Sequence, residues 1–170
     1  MSQLPEIVNN FDLSIAKDTK KKVEMDGGHF PLEKHIEGEF HFDGSPMFTA
    51  TLTSNVATFA MGADEPSVLG GRGVYASPLN YLMLGVLSCY ASNIVLTASL
   101  NGVKLSKLKL KGHLFYDIGP MFQSSDFPLA KELKIEIEAD KDIRDIIKNS
   151  NRCPAFYIVS HGVKTEVTQI

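Results

Sequence analysis

Residues 73–103 read GVYASPLNYLMLGVLSCYASNIVLTASLNGV, with no charged side chain from end to end. Ser77-Pro78 is a start signal, a capping residue followed by proline at the first helical position. Asn101-Gly102 is a stop, because both residues tolerate the left-handed backbone. The spacing therefore predicts one long helix. Leu79, Leu82, Met83, Val86, Tyr90 and Ile94 fall on one side of it, yet Leu84, Leu87, Ala91 and Leu96 on the other side are apolar too. A helix apolar nearly all round must be covered on several sides. One sheet covers one side only, so a second copy of the chain is the expected source of the rest, and a homodimer is expected. A membrane span is not expected. The only unbroken apolar run is residues 81–87, and Pro78, Asn80, Ser88, Ser92 and Asn93 interrupt the remainder, well short of the roughly 18 residues that a span needs.

On either side of this helix the apolar period changes to two. Ile36, Phe40 and Phe42 alternate with Glu37, Glu39 and His41, and Phe48, Ala50 and Leu52 alternate with Thr49, Thr51 and Thr53. Asp43-Gly44 reads as a hairpin turn between them, and residues 56–61 make a third strand after Ser54-Asn55. Beyond the helix, Leu108, Leu110, Leu114 and Tyr116 oppose Lys107, Lys109, Lys111 and His113. Leu133, Ile135 and Ile137 oppose Lys134, Glu136 and Glu138, and a loop around Gly119-Pro120 is expected between the two strands. Asp140 is placed to cap a short helix with Ile143, Ile146 and Ile147 on one face. A second short helix follows residues 151–154, and a final strand is expected over residues 163–169. Three strands, a helix, two strands, short helices and a strand, without βαβ alternation, make an α+β fold: one antiparallel sheet of six strands on a long buried central helix. Residues 35–170 form the single expected domain, and residues 1–34, with Lys20-Lys21-Lys22, an N-terminal arm in which a short strand or helix near Ile7 to Ile15 is the alternative.

The 170 residues carry 17 basic and 20 acidic side chains, a net charge of −3, which offers no electrostatic footprint for nucleic acid and no attraction to an anionic membrane. Two cysteines, Cys89 and Cys153, are too few for a disulfide scaffold or a zinc site. Residues 1–10 have no basic residue ahead of an apolar run, so no signal peptide is expected and the cytoplasm is the expected compartment. No cofactor and no metal are expected. Gly70-Gly71-Arg72-Gly73 lacks the ending of a phosphate loop, and His35, Glu37, Glu39 and His41, which would share one face of a strand, read as a solvated face.

Ser77-Pro78-Leu79-Asn80-Tyr81-Leu82, then Ser88-Cys89-Tyr90, Asn101-Gly102-Val103 and Arg152-Cys153-Pro154, together with Asp64-Glu65-Pro66 and Gly70-Gly71, resemble the osmotically inducible protein C and organic hydroperoxide resistance (OsmC/Ohr) family. The resemblance spans about residues 36–170. It implies an intertwined homodimer with active sites at the subunit interface and a thiol peroxidase reaction on organic hydroperoxides. Cys89 matches the attacking cysteine, Cys153 the resolving one, and a dithiol is the implied reductant. In the hydroperoxide reductases a glutamate follows the proline and holds an arginine over the thiolate. Here Leu79 stands at that position and no arginine occurs before Arg72. Arg72 and Arg152 are the nearest cations by sequence.

Read without the family, Cys89 is the twelfth residue of an apolar helix, where a free cysteine is ordinarily a small buried hydrophobe. Cys153 sits at a helix start beside Arg152, which by local physics makes it the more acidic thiol, opposite to the family's roles. The alternative to catalysis is a protein of the same fold that holds an apolar small molecule at its dimer interface. Tyr75, Tyr81, Tyr90, Phe156 and Tyr157 are candidate pocket residues under either reading.

Overall fold

The computed structural model describes residues 6–150 and 152–169; Asn151, at the expected helix start, lies outside them. The chain divides into two compact units, Met1–Met25 with Gly85–Ile170, and Asp26–Leu84. Its architecture is mixed α and β, with antiparallel pairing throughout.

The first unit begins with two short strands, β1 (Ile7–Val8) and β2 (Phe11–Asp12), paired through a tight turn in which Asn9 and Asn10 take positive φ (49° and 70°). Asparagine tolerates that region better than other side chains. The turn is anchored. Asn9 Nδ2 donates to Ser99 Oγ and to the Val103 carbonyl, both at 2.8 Å, and its Oδ1 accepts from Leu105 N–H at 2.8 Å. The N-terminal arm thus satisfies backbone groups beyond the C-terminus of the long helix. A helix, α1 (Leu13–Met25), follows directly. Asp12 starts it by accepting from Ser14 N–H at 3.0 Å and holds its carboxyl below the usual range mainly through the Ser14 hydroxyl.

The long helix α2 (Pro78–Leu100) keeps the bounds expected from its caps, and Gly102 takes φ 73°. Val86, Tyr90, Ile94 and Ala98, four residues apart, are its buried stripe. Of these, Tyr90 and Ile94 pack against the hairpin of β6 (Leu108–Tyr116) and β7 (Ala130–Ala139), whose inward residues Leu108, Leu110, Ile135 and Ile137 join them, Ile143 and Cys153 in one core. Outward, Lys109 faces Glu138 and Lys111 faces Glu136 across the ladder. By length and composition α2 could cross a membrane, but Tyr90 and Ile94 pack on a hairpin whose other face is charged and exposed. That face requires water, not lipid.

Three expectations are corrected in this unit. Gly119–Phe122 is a one-turn helix, α3, where a loop was expected. Asp140 does not cap α4 (Arg144–Lys148). It accepts from Ser106 Oγ (2.6 Å), Ser106 N–H and Lys107 N–H (both 3.1 Å), which together hold its pKa at about 2, the Ser106 hydroxyl contributing most. Residues 163–169 form no strand. Their alternating pattern is present, but after α5 (Pro154–His161) the segment runs exposed without a ladder partner among the described residues, and a strand exists only through its pairing.

In the second unit β3 (Gly38–Phe40), β4 (Phe48–Thr53) and β5 (Thr58–Ala63) form an antiparallel sheet in the order β3-β4-β5, so the strands divide among separate sheets and do not join one sheet of six. Its register puts Phe40 beside Phe48, Ala50 beside Met61, and Leu52 beside Phe59 on one apolar face. At the end of β5 lies Asp64, 1% exposed. It accepts from Ser45 Oγ and from the N–H groups of Met47 (2.8 Å), Val74 (3.0 Å) and Tyr75 (3.3 Å). The chain returns past it through a 3₁₀ turn at Ser67–Leu69, and at Gly71 a Cβ would stand 1.9 Å from the Glu65 carbonyl oxygen. Gly70-Gly71-Arg72-Gly73 is therefore a close backbone crossing that only glycine permits at Gly71.

Asp64→Ala leaves the N–H groups of Met47, Val74 and Tyr75 without their acceptor, and the melting temperature is expected to fall by roughly 5 °C or more. The Ser45 hydroxyl, the largest influence, and the three N–H groups hold Asp64 below its ordinary value of 3.8. Stability from this carboxylate is then complete above that value and is lost as pH falls through the lower, folded-state pKa. Asp64→Asn should flatten that acid limb, as read by thermal melts between pH 7 and pH 2.5.

Candidate active site

Cys89 and Cys153, 64 positions apart, stand with their sulfurs 2.8 Å from each other, as two free thiols. The separation is inside van der Waals contact and longer than a disulfide bond of about 2.05 Å. Two elements bring them together. Cys89 rides on α2 next to Tyr90, at the edge of the buried stripe. Cys153 precedes Pro154, and its extended backbone (φ −69°, ψ 125°) is the conformation that a following proline imposes. Pro154 at the first position and the 2.8 Å bond from Tyr157 N–H to the Cys153 carbonyl then start α5. Phe156 stacks on Tyr90 with ring centroids 5.0 Å apart, so the first turn of α5 is seated against α2 beside the thiols.

The two sulfurs differ in surroundings. Cys153 is 0% exposed, enclosed with Tyr90, Ile94 and Ile143, whereas Cys89 is partly exposed. Burial pushes the Cys153 thiol above its ordinary pKa, and the Cys89 thiol adds to the shift. The N–H groups of Phe156 and Ala155 pull downward and lose. The helix-start argument for an acidic Cys153 is thereby reversed, because desolvation outweighs two backbone dipoles. The Tyr90 hydroxyl is pushed up as well, first by burial and then by charge on Cys153.

Arg152 and Arg72 are both exposed, and among the described residues Arg152 makes no hydrogen bond or ion pair with a thiol. Arg72 belongs to the unit that does not hold the cysteines. Of the aromatic candidates, Tyr90 and Phe156 pack with the thiols and Tyr157 stacks on His161 at 4.2 Å. Tyr81 donates to the Gly62 carbonyl at 2.6 Å within the other unit, where Tyr75 also lies. His35, Glu37 and Glu39 are exposed and His41 Nε2 pairs with Thr49 Oγ1 at 2.7 Å; no group of three metal-binding side chains occurs among the described residues. An apolar groove of about 730 Å³ lies elsewhere in the first unit, between Phe11, Ile15 and Val23 on one side and Leu96 and Leu100 on the other.

No protein-family model matches the chain, and no curated protein matches it. Solved structures do match, at low identity. A Psychrobacter arcticus protein named for osmotic stress induction and a detoxification response aligns over 79% of this chain and 93% of its own, with 16% identity and a TM-score of 0.58. An OsmC-like protein from Mycoplasma pneumoniae aligns over 78% and 90%, with 19% identity and a TM-score of 0.55. An organic hydroperoxide resistance protein OsmC from Legionella pneumophila, described as a predicted redox protein, aligns over 78% and 93%, with 14% identity and a TM-score of 0.53. The chain has an OsmC-like fold.

Proposed function

We propose that this chain is a divergent, cytoplasmic OsmC-like thiol peroxidase that reduces organic hydroperoxides in defence against oxidative stress, with Cys89 attacking and Cys153 resolving. The observation that carries the reading is the 2.8 Å contact between two free thiols that are remote in sequence. Similar folds in proteins named for organic hydroperoxide resistance and for a detoxification response support it.

The Cys89 thiolate attacks one oxygen of the O–O bond. An S–O bond forms, the O–O bond breaks, and the alkoxide takes a proton and leaves as the alcohol. Cys153 gives up its proton and attacks the sulfur of the Cys89 sulfenic acid; the S–S bond forms and the hydroxyl leaves as water. A dithiol then returns two electrons to the disulfide and becomes a disulfide itself. The raised pKa of Cys153 keeps it protonated until its partner is oxidised, which suits a resolving thiol. Arg72 is the cation that this reading enlists, and Arg72→Ala should then slow the peroxide step.

A second reading, apolar-ligand binding without catalysis, is favoured by Leu79 at the glutamate position. Steady consumption of cumene hydroperoxide with a small dithiol separates the two. The peroxidase reading expects turnover, slower use of hydrogen peroxide, and a Cys89–Cys153 link within single chains. Survival of both thiols in excess hydroperoxide would leave only the binding reading.

A further inference from the structure

We infer that Cys89 is the only sulfur of the pair that external reagents attack, so that the reductant, like the oxidant, forms its bond at Cys89 while Cys153 exchanges electrons solely inside the chain. The inference rests on the redox-pair reading above and deepens it by assigning where reduction begins.

Thiol–disulfide exchange proceeds through attack on one sulfur in line with the bond that breaks, and access decides which sulfur is reached. Attack on Cys153 requires an approach from the side opposite Cys89. Cys153 has no exposed surface, and Tyr90, Ile94, Ile143 and Phe156 pack about it. Attack on Cys89 requires an approach from the side opposite Cys153, and Cys89 keeps exposed surface to offer. Leaving-group chemistry argues the other way, since burial raises the proton affinity of Cys153 and makes it the slower group to expel. Access prevails. A slow leaving group lowers a rate, whereas an enclosed sulfur is reached only when the packing about it opens.

The steps balance. A thiolate of the dithiol attacks Cys89 Sγ, the bond to Cys153 breaks, and Cys153 leaves with the electron pair and takes up a proton. The second thiol of the dithiol attacks its own partner sulfur in the mixed disulfide, closing the reductant's disulfide and releasing Cys89 as thiolate. Two electrons enter and the peroxide site is restored at the sulfur that left last.

The test uses the native protein oxidised with diamide, which makes the disulfide independently of any hydroperoxide. Brief exposure to glutathione, acid quench, blocking of free thiols with N-ethylmaleimide and non-reducing peptide mass spectrometry then locate the adduct. Glutathione is expected on the Cys89 peptide and the maleimide on Cys153, by a ratio of at least about tenfold. An adduct on Cys153 in equal or greater yield overturns the inference, as does failure of diamide to link the pair. The native-state reaction with Ellman's reagent gives a second readout: the remaining thiol of Cys153→Ser should react at least about tenfold faster than that of Cys89→Ser, and equal rates overturn it too. Absence of hydroperoxide turnover beside a Cys89 adduct would sink the peroxidase reading alone.

Discussion

Replacing Cys89 by serine is expected to reduce dithiol-dependent consumption of organic hydroperoxide by at least about 10³-fold, to the level of the uncatalysed reaction between peroxide and reductant. A serine hydroxyl is hardly ionised near neutral pH and cannot take over the attack. The remaining thiol, Cys153, is enclosed and held protonated by burial. Cys153→Ser should behave differently. Cys89 keeps its exposure and its place on α2, so the first equivalent of hydroperoxide should be consumed at close to the native rate. The sulfenic acid then has no thiol beside it, and excess peroxide should carry it to sulfinic acid. A burst of one equivalent followed by inactivation, read by mass spectrometry, is the expected signature. If Cys153→Ser instead loses the burst and Cys89→Ser keeps it, the attacking role belongs to Cys153.

The contrast between these variants depends on packing that no local pattern announces. Helix α2 is legible because its ends carry strong signals, Ser77-Pro78 and Asn101-Gly102, and because nothing charged interrupts it. β6 and β7 are legible because each alternates cleanly and each has its partner nearby. What brings Cys89 to Cys153 is different in kind: Ile143 and Phe156, on elements far along the chain, pack against Tyr90 and Ile94. From the residues alone Cys89 reads as core, and only the resemblance singles out the pair.

Other features escape for identifiable reasons. The pattern of α1 was masked by Lys20-Lys21-Lys22, although Asp12 ahead of it and Gly27-Gly28 behind it are the start and stop of a helix. Asp64 lies in a turn-rich run where an acidic residue reads as solvated, and its four donors come from Ser45, Met47, Val74 and Tyr75, which no spacing rule connects. Residues 163–169 show the opposite failure, since a pattern of period two is necessary for a half-buried strand but supplies no partner for it.

Sedimentation at micromolar concentration is expected to find twice the 18.7 kDa of one chain, and a pair of lysines on the sheet of the second unit is expected to return it to one. The physical ground is surface that a single chain leaves open. Phe40, Phe48, Leu52 and Phe59 share one face of β3-β4-β5 and are 40–53% exposed; on α2, Leu82 is 45% and Leu84 61% exposed. Apolar area on this scale left facing water marks an interface. A second copy is the economical occupant, because two-fold pairing lets one set of residues cover itself. An interface that covers both surfaces should bury more than about 2,000 Å². Leu52→Lys with Phe59→Lys discriminates well, since Leu52 and Phe59 are direct cross-strand neighbours, both partly exposed within the chain. Two lysines there should leave the fold of one chain intact by circular dichroism, yet their charges cannot be desolvated in an apolar interface without a cost of several kcal/mol each. The expected product is a folded monomer. A native protein that sediments as a monomer removes the dimer, and a double-lysine variant that remains dimeric shows that the subunits meet on a surface other than this face.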